Sequence, residues 1–277
     1  MRKISFLGVF FLMVLFNSCG ETNLVEITPD PSLDAPAVSG YFKKRVLIED
    51  YTGTWCGNCT RVSWAIEQAS AASDKVVPVA IHNGNDPYHF DGIAPLKNLI
   101  LPNSPLALPV SRLNRMNVWT FPETSNIQDA INLTGNNSGM GIAMNSTVVD
   151  GNIALDVNLK FALSYSNLKL VVYLLEDGLI YFQRNYTSYY DNVNPIPNYV
   201  HNHVLRASIT NILGDPISVN PTPGTTVAKN FTIPVPSNIA NPANISFVAF
   251  LVGPDNVAIN SRAYHVNEEP QQFEENP

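Results

Sequence analysis

Apolar and polar positions fall into two different rhythms along this chain. Val46-Leu47-Ile48-Glu49-Asp50-Tyr51 is a short apolar run that stops at Gly53 and predicts a strand. From Cys59 through Trp64, Ile66 and Ala69 the apolar positions recur at helical spacing, and Val76 to Ile81 is a second run of the kind a parallel sheet buries. Strand, helix and strand in that order predict a βαβ unit. A short helix over 94–101, a strand over 109–114 and a helix over 125–133 with Thr124 or Ser125 as its cap complete this half. Beyond Gly135-Asn136-Asn137-Ser138-Gly139 the pattern becomes alternation, in runs at 142–149, 153–162, 168–175, 179–183, 227–233, 245–252 and 257–265. Such short antiparallel strands predict an all-β sandwich of immunoglobulin or fibronectin type, with hairpin turns at Asp150-Gly151-Asn152 and Glu176-Asp177-Gly178. The expected fold is therefore an α/β domain over 41–138 followed by a β-sandwich over 139–266, with an acidic, frayed tail at 267–277.

Composition narrows the function classes. At 277 residues, 45% hydrophobic and 14% charged, the chain can bury a real core, which excludes a disordered or collagen-like protein. The net charge is −7 and no basic run exceeds Lys43-Lys44-Arg45, so nucleic acid is not an expected partner. The three cysteines leave none for a structural disulfide once the roles below are assigned.

Arg2 and Lys3, the apolar run Ile4 to Phe16 and then Asn17-Ser18-Cys19 have the order of an export signal, and the run falls short of the roughly 20 residues a spanning helix needs. The segment up to Cys19 resembles a bacterial lipobox, with 1–18 as the signal peptide and Cys19 as the lipidated mature N-terminus; the alternative is an ordinary secretory signal with an incidental cysteine. Residues 19–40, polar and carrying Pro29, Pro31 and Pro36, read as a flexible tether. Attachment to the membrane would rest on the acyl chains, because an acidic surface has no attraction for anionic lipid.

Trp55-Cys56-Gly57-Asn58-Cys59 stands where a strand hands over to a helix, a place where orphan N–H groups favour a thiolate. Cys56 would attack a substrate disulfide, and Cys59 would resolve the mixed intermediate. The segment resembles the active site of the thioredoxin superfamily. That resemblance implies a thioredoxin-like fold for 41–138, Asp50 as a buried acid moving the resolving thiol's proton, and Pro109 as the cis-proline facing the disulfide, with Pro102 and Pro105 as rivals. Asp50 reads equally well as a solvated strand-end acid, because Glu49 beside it points to the opposite face and only one of the two should be buried. Trp55 is a packing lid in any reading. A metal site is the alternative for the cysteines, with His82 as a third ligand, but four-coordinate zinc lacks further thiols. No metal and no cofactor beyond the Cys56–Cys59 pair is expected. His201 and His203 read as a polar strand edge rather than a chelate, and the aromatics between Tyr181 and Tyr190 as a strand and loop over the sandwich core.

The lipobox-like start, VLIEDYTGTWCGNC at 46–59, VAIHN at 79–83 and YVHNHVLRA at 199–207 together resemble the Bacteroidetes outer-membrane lipoprotein family named for a twenty-eight-kilodalton outer membrane protein. The resemblance implies an outer-membrane, lipid-anchored protein facing the periplasm or the cell surface. Two functions follow as expectations. One is a thiol–disulfide oxidoreductase acting on exported protein substrates and reset by a redox partner, as reductase, oxidase or isomerase; the other is a surface adhesion or binding lipoprotein in which the thioredoxin-like part is structural.

Overall fold

The computed structural model describes residues 38–266 and 268–277, so the expected signal peptide, Cys19 and most of the tether lie outside the described residues, as does Asn267. In chain order the first half runs β1 (Phe42–Lys44), β2 (Val46–Thr52), α1 (Thr60–Ala72), β3 (Val76–His82), α2 (Ile93–Ile100), β4 (Val110–Leu113), β5 (Asn117–Val118) and α3 (Ile127–Ile131). The second half opens with β6 (Gly135–Ser138), β7 (Met140–Val149), β8 (Asn152–Phe161), β9 (Lys169–Glu176) and β10 (Leu179–Gln183). It continues through β11 (Ile196–His201), β12 (Val204–Ser208), β13 (Asp215–Pro216), β14 (Thr226–Pro234), β15 (Ile245–Val252) and β16 (Ala258–His265). The described residues are mostly β-sheet, and none of their helices is long and apolar enough to cross a membrane.

The βαβ unit is present: β2 and β3 pair in parallel from Val46↔Val76 to Thr52↔His82, with α1 between them. Antiparallel β4 flanks β2, and β12 flanks β3 through Val204↔Ala80. Through β12 the sheet runs on into β9, β15 and β16, so strands from both sides of residue 138 share one nine-stranded sheet. A three-stranded sheet, β14-β8-β7, covers one face of β9 and β15; Leu170, Val172, Leu174, Phe247 and Leu251 point into this sandwich core. Their neighbours Val171, Tyr173, Val248 and Phe250 point the other way and pack on Leu47, Tyr51, Val77 and Ile81 of the first half. Strands β9 and β15 are thus buried on both faces, which explains why they are continuous apolar runs.

Four expectations change. The turn at Glu176-Asp177-Gly178 is no hairpin: β9 already has β15 and β12 on its two edges, so β10 leaves the sheet and pairs with β11 instead. The helix expected over 125–133 shrinks to α3, preceded by a 3₁₀ turn at Glu123–Ser125, and its cap position is Asn126 rather than Thr124 or Ser125. Glu49 and Asp50 are both buried, because the second half covers the face of β2 that a free α/β domain would show to water. The closing segment is docked rather than frayed: Gln271 N–H donates to Met144 O at 2.9 Å, Asn276 N–H to Tyr41 O at 2.7 Å, and Arg45 pairs with Glu274.

Candidate functional site

Past β2 the chain turns twice before entering α1. Cys56 N–H donates to Gly53 O at 2.9 Å and Cys59 N–H to Cys56 O at 3.3 Å. Cys59, not Cys56, occupies the cap position of α1, and no side chain caps that end. The two cysteines form a disulfide with an S–S distance of 2.00 Å and a Cα–Cα distance of 5.4 Å. Cys59 is fully buried and Cys56 is 5% exposed, so Cys56 is the more accessible residue of the pair.

The cover over this loop comes from far along the chain. Gln183 Nε2 donates to Cys56 O at 3.0 Å, Arg184 N–H to Thr54 O at 2.8 Å and Tyr186 N–H to Gly57 O at 2.8 Å. The segment therefore straps across the cysteine turn. Thr60 Oγ1 donates to Asn185 Oδ1 at 2.9 Å, Tyr189 stacks on Trp64 with ring centroids 5.4 Å apart, and Tyr190 O–H donates to Glu67 Oε1 at 2.7 Å. Tyr186 lies so close over Gly57 that a Cβ there would stand 2.2 Å from its ring, which accounts for glycine between the cysteines. Tyr186, Tyr189 and Tyr190, expected over the sandwich core, pack instead on α1 and the cysteine turn, and nothing in their spacing names that partner. With the disulfide reduced, Tyr186→Ala is expected to speed alkylation of Cys56 about tenfold, which corresponds to about 1.4 kcal/mol of lost cover. Tyr186→Phe should leave the rate unchanged, and equal rates in all three proteins would show that the strap does not shield the thiol.

Asp50 lies on the face of β2 turned toward α1, at the wall of a cavity of about 160 Å³ between the even face of β2 and β3, α1 and the β10–β11 hairpin. Burial, then the nearby Glu123 carboxylate, push its carboxyl well above the usual range, against the opposing pull of Arg61. Its Oδ1 has no hydrogen-bond partner. The expectation of a buried acid at this position holds, and the solvated alternative does not. The cavity touches the cysteine turn through Gln183, which bonds Cys56 O, and Ser63, whose Oγ is 3.4 Å from Cys59 O. Glu123 was not singled out from sequence; it receives Ser111 Oγ at 3.0 Å and pairs with Arg61 at 2.5 Å, fixing a second carboxylate near Asp50.

The remaining candidates surround this centre. Trp55 is 44% exposed, lies over Gly84 and donates its Nε1–H to Asn83 O at 2.8 Å, so it flanks the pair more than it covers it. The Leu108–Pro109 peptide is cis, whereas Pro102 and Pro105 follow trans bonds, and Pro109 leads directly into β4, which pairs with β2. His82 is buried at the end of β3 with Nδ1 3.1 Å from Asp86 Oδ1. Burial alone would raise the Asp86 carboxyl, but bonds from His82 and from the N–H groups of Thr54 and Tyr88 outweigh it and hold Asp86 below its usual range. His201 is buried against His82 and Tyr88, and burial followed by the neighbouring His82 pushes its imidazole down to about 3. His203 instead turns toward Asp177, at 3.3 Å, so the two histidines expected on one strand edge part company after β11. Among the described residues no group of three or more His, Cys, Asp or Glu side chains is arranged to hold a metal ion.

Known proteins resemble the chain at two levels. No curated protein matches it. Among solved structures, HBP35 of Porphyromonas gingivalis shares the fold with a TM-score of 0.61 at 19% identity, over 86% of this chain and 81% of that one. The profile described as outer membrane protein Omp28 matches residues 106–270, a span that takes in Pro109, Glu123, the strap and the sandwich but not the two cysteines. With more than half of its length matched by that profile, the chain belongs to the Omp28 family of outer membrane proteins.

Proposed function

We propose that this protein is a lipid-anchored thiol–disulfide oxidoreductase of the cell envelope, built on a thioredoxin-like βαβ core, that exchanges disulfides with exported proteins. The observation that carries the reading is the Cys56–Cys59 bridge at the start of α1 with a buried carboxyl beneath the same helix, that of Asp50, whose Oδ1 has no partner. In the reducing direction the Cys56 thiolate attacks one sulfur of a substrate disulfide, forming a mixed disulfide and releasing one substrate thiolate. Asp50 takes the Cys59 proton, and the Cys59 thiolate attacks Cys56 Sγ. The products are the Cys56–Cys59 disulfide and a substrate dithiol, two electrons having passed to the substrate; a dithiol partner in the envelope returns the pair to its reduced form. Oxidation of a substrate is the same sequence reversed. Cys19, through its lipid, would hold the protein to the outer membrane.

A second reading, a surface binding module with a structural disulfide, has its own support in the strap, which leaves Cys56 5% exposed while Tyr186 stays 67% exposed. One experiment separates the two. Thiol state is followed by alkylation mass shift across dithiothreitol and glutathione buffers, and partners are sought on Cys59→Ser in an envelope extract. A reversible two-electron transition, with mixed disulfides on Cys59→Ser that Cys56→Ser abolishes, is the expected result. A bridge that resists reduction until the protein unfolds would decide for the binding module.

A further inference from the structure

A second pocket lies on the outer face of the three-stranded sheet. Along β7, β8 and β14 alternate side chains fill the sandwich core, so the ones between them face outward. Across the strands Asn145, Asp156 and Asn230 stand opposite one another, and the neighbouring row is Ala143, Asn158 and Ala228. The two alanines keep that row low. The closing segment supplies a wall. Gln271 N–H donates to Met144 O at 2.9 Å and its Nε2 to Ala263 O at 2.7 Å, while Arg262 Nη1 donates to Gln272 O at 2.7 Å. Between floor and wall is a cavity of about 320 Å³, at the lower end of the roughly 300–1,000 Å³ of small-molecule sites.

The lining groups define what fits. Asn230 Nδ2 donates to Asp156 Oδ1 at 2.6 Å, which fixes the carboxylate and leaves Oδ2 to accept from a ligand. The amides of Asn145 and Asn158 belong to half-buried residues that line the same space, and they bond to no described residue. Each amide offers two N–H donors and a carbonyl acceptor, whereas the carboxylate only accepts. Hydroxyl groups, which donate and accept at one atom, match that set. No Lys, Arg or His lines the pocket, and Lys160, one row further along the same face, is paired with Glu275, so an anion finds no counter-charge. Pro270 and Phe273, the latter held edge-on to Phe42 with ring centroids 6.2 Å apart, add apolar wall. A ring with hydroxyls around its rim and C–H groups on its face satisfies both kinds of surface at once.

We propose that this pocket binds a neutral saccharide of one or two pyranose rings, with Asp156 and the Asn145 and Asn158 amides taking its hydroxyls and Pro270 and Phe273 its C–H face. The proposal is independent of both readings of the cysteine pair, since neither cysteine nor any part of the strap lines the pocket. The probes are methyl glucoside, methyl mannoside, methyl galactoside, lactose and maltose, with glucuronate and putrescine as charged controls. Each is titrated into the full chain at pH 7 and followed by calorimetry and by the Phe273 ring resonances. At least one neutral sugar is expected to bind one to one with a millimolar or lower dissociation constant and to shift Phe273, and neither charged control should displace it. Asp156→Ala and Asn158→Ala, both at half-buried positions on the sheet surface, should each weaken that sugar at least about tenfold, or about 1.4 kcal/mol. Failure of all five sugars to bind, displacement of the sugar by glucuronate or putrescine, or undiminished binding by either variant in its folded form would each overturn the assignment.

Discussion

Arg115→Met is expected to lower the unfolding free energy by about 3–5 kcal/mol, the cost of leaving one partner of a buried ion pair alone. Arg115 and Glu49 are both fully buried. One nitrogen of the guanidinium, Nη2, stands 3.4 Å from Glu49 Oε1, donates to Tyr173 Oη at 2.5 Å and to Ile212 O at 3.1 Å, and the group lies 4.7 Å from the Phe250 ring centre. Glu49 would keep only the Tyr173 hydroxyl, at 3.1 Å. Because Arg115 Nε and Nη1 and Glu49 Oε2 are unpartnered even in the intact pair, an apolar replacement of both residues should be far milder than either single change. Urea unfolding of Arg115→Met, Glu49→Leu and the double variant tests this. A single-variant loss below about 1 kcal/mol would mean that the pair is hydrated or already neutral.

Asp50→Asn should act in opposite senses on stability and on chemistry. The unfolded carboxyl titrates near about 3.9, and burial raises it in the native protein. Between those two values the native state binds more protons than the unfolded state, so the Asp50 contribution to stability falls as pH rises through that window and stays at its lowest above the native value. Asparagine does not titrate. The variant should therefore be more stable than the unaltered protein at pH 8, by about 1–3 kcal/mol, and the advantage should fade toward pH 4. Release of a mixed disulfide from Cys56 should slow by roughly 100-fold, the lower end of what a positioned acid–base group supplies. Melting curves at three pH values and quenched-flow alkylation read the two effects. An advantage independent of pH would show that Asp50 is already ionised in the fold.

Legibility in the sequence followed burial. Strands such as β8, which keeps one face wet, alternate cleanly, and β15, buried on both faces, is unbroken apolar sequence; both were readable to within a residue or two. β11 was not, because Ile196-Pro197-Asn198-Tyr199-Val200-His201 carries a proline and pairs only with β10 at the margin of the fold. The cysteine turn and Asp50 were visible because their chemistry is local to a dozen residues. Gln183, Tyr186, Glu123 and the unmet nitrogen of His201 were not, since each gains its meaning from a partner that only the folded chain brings near. The burial of Glu49 was illegible for the same reason: its partner Arg115 lies 66 residues away, on a loop whose pattern says nothing about charge pairing.

The strap also orders events in time. Gln183 and the carbonyl it holds at Cys56 are separated by 127 residues, a long-range closure that a chain made from its N-terminus cannot form until most of it exists. Until that segment has been made and has docked, both cysteines are therefore uncovered, and the pair can gain or lose electrons before Tyr186 arrives. Whatever redox state the pair holds at that moment is the one over which the finished protein closes.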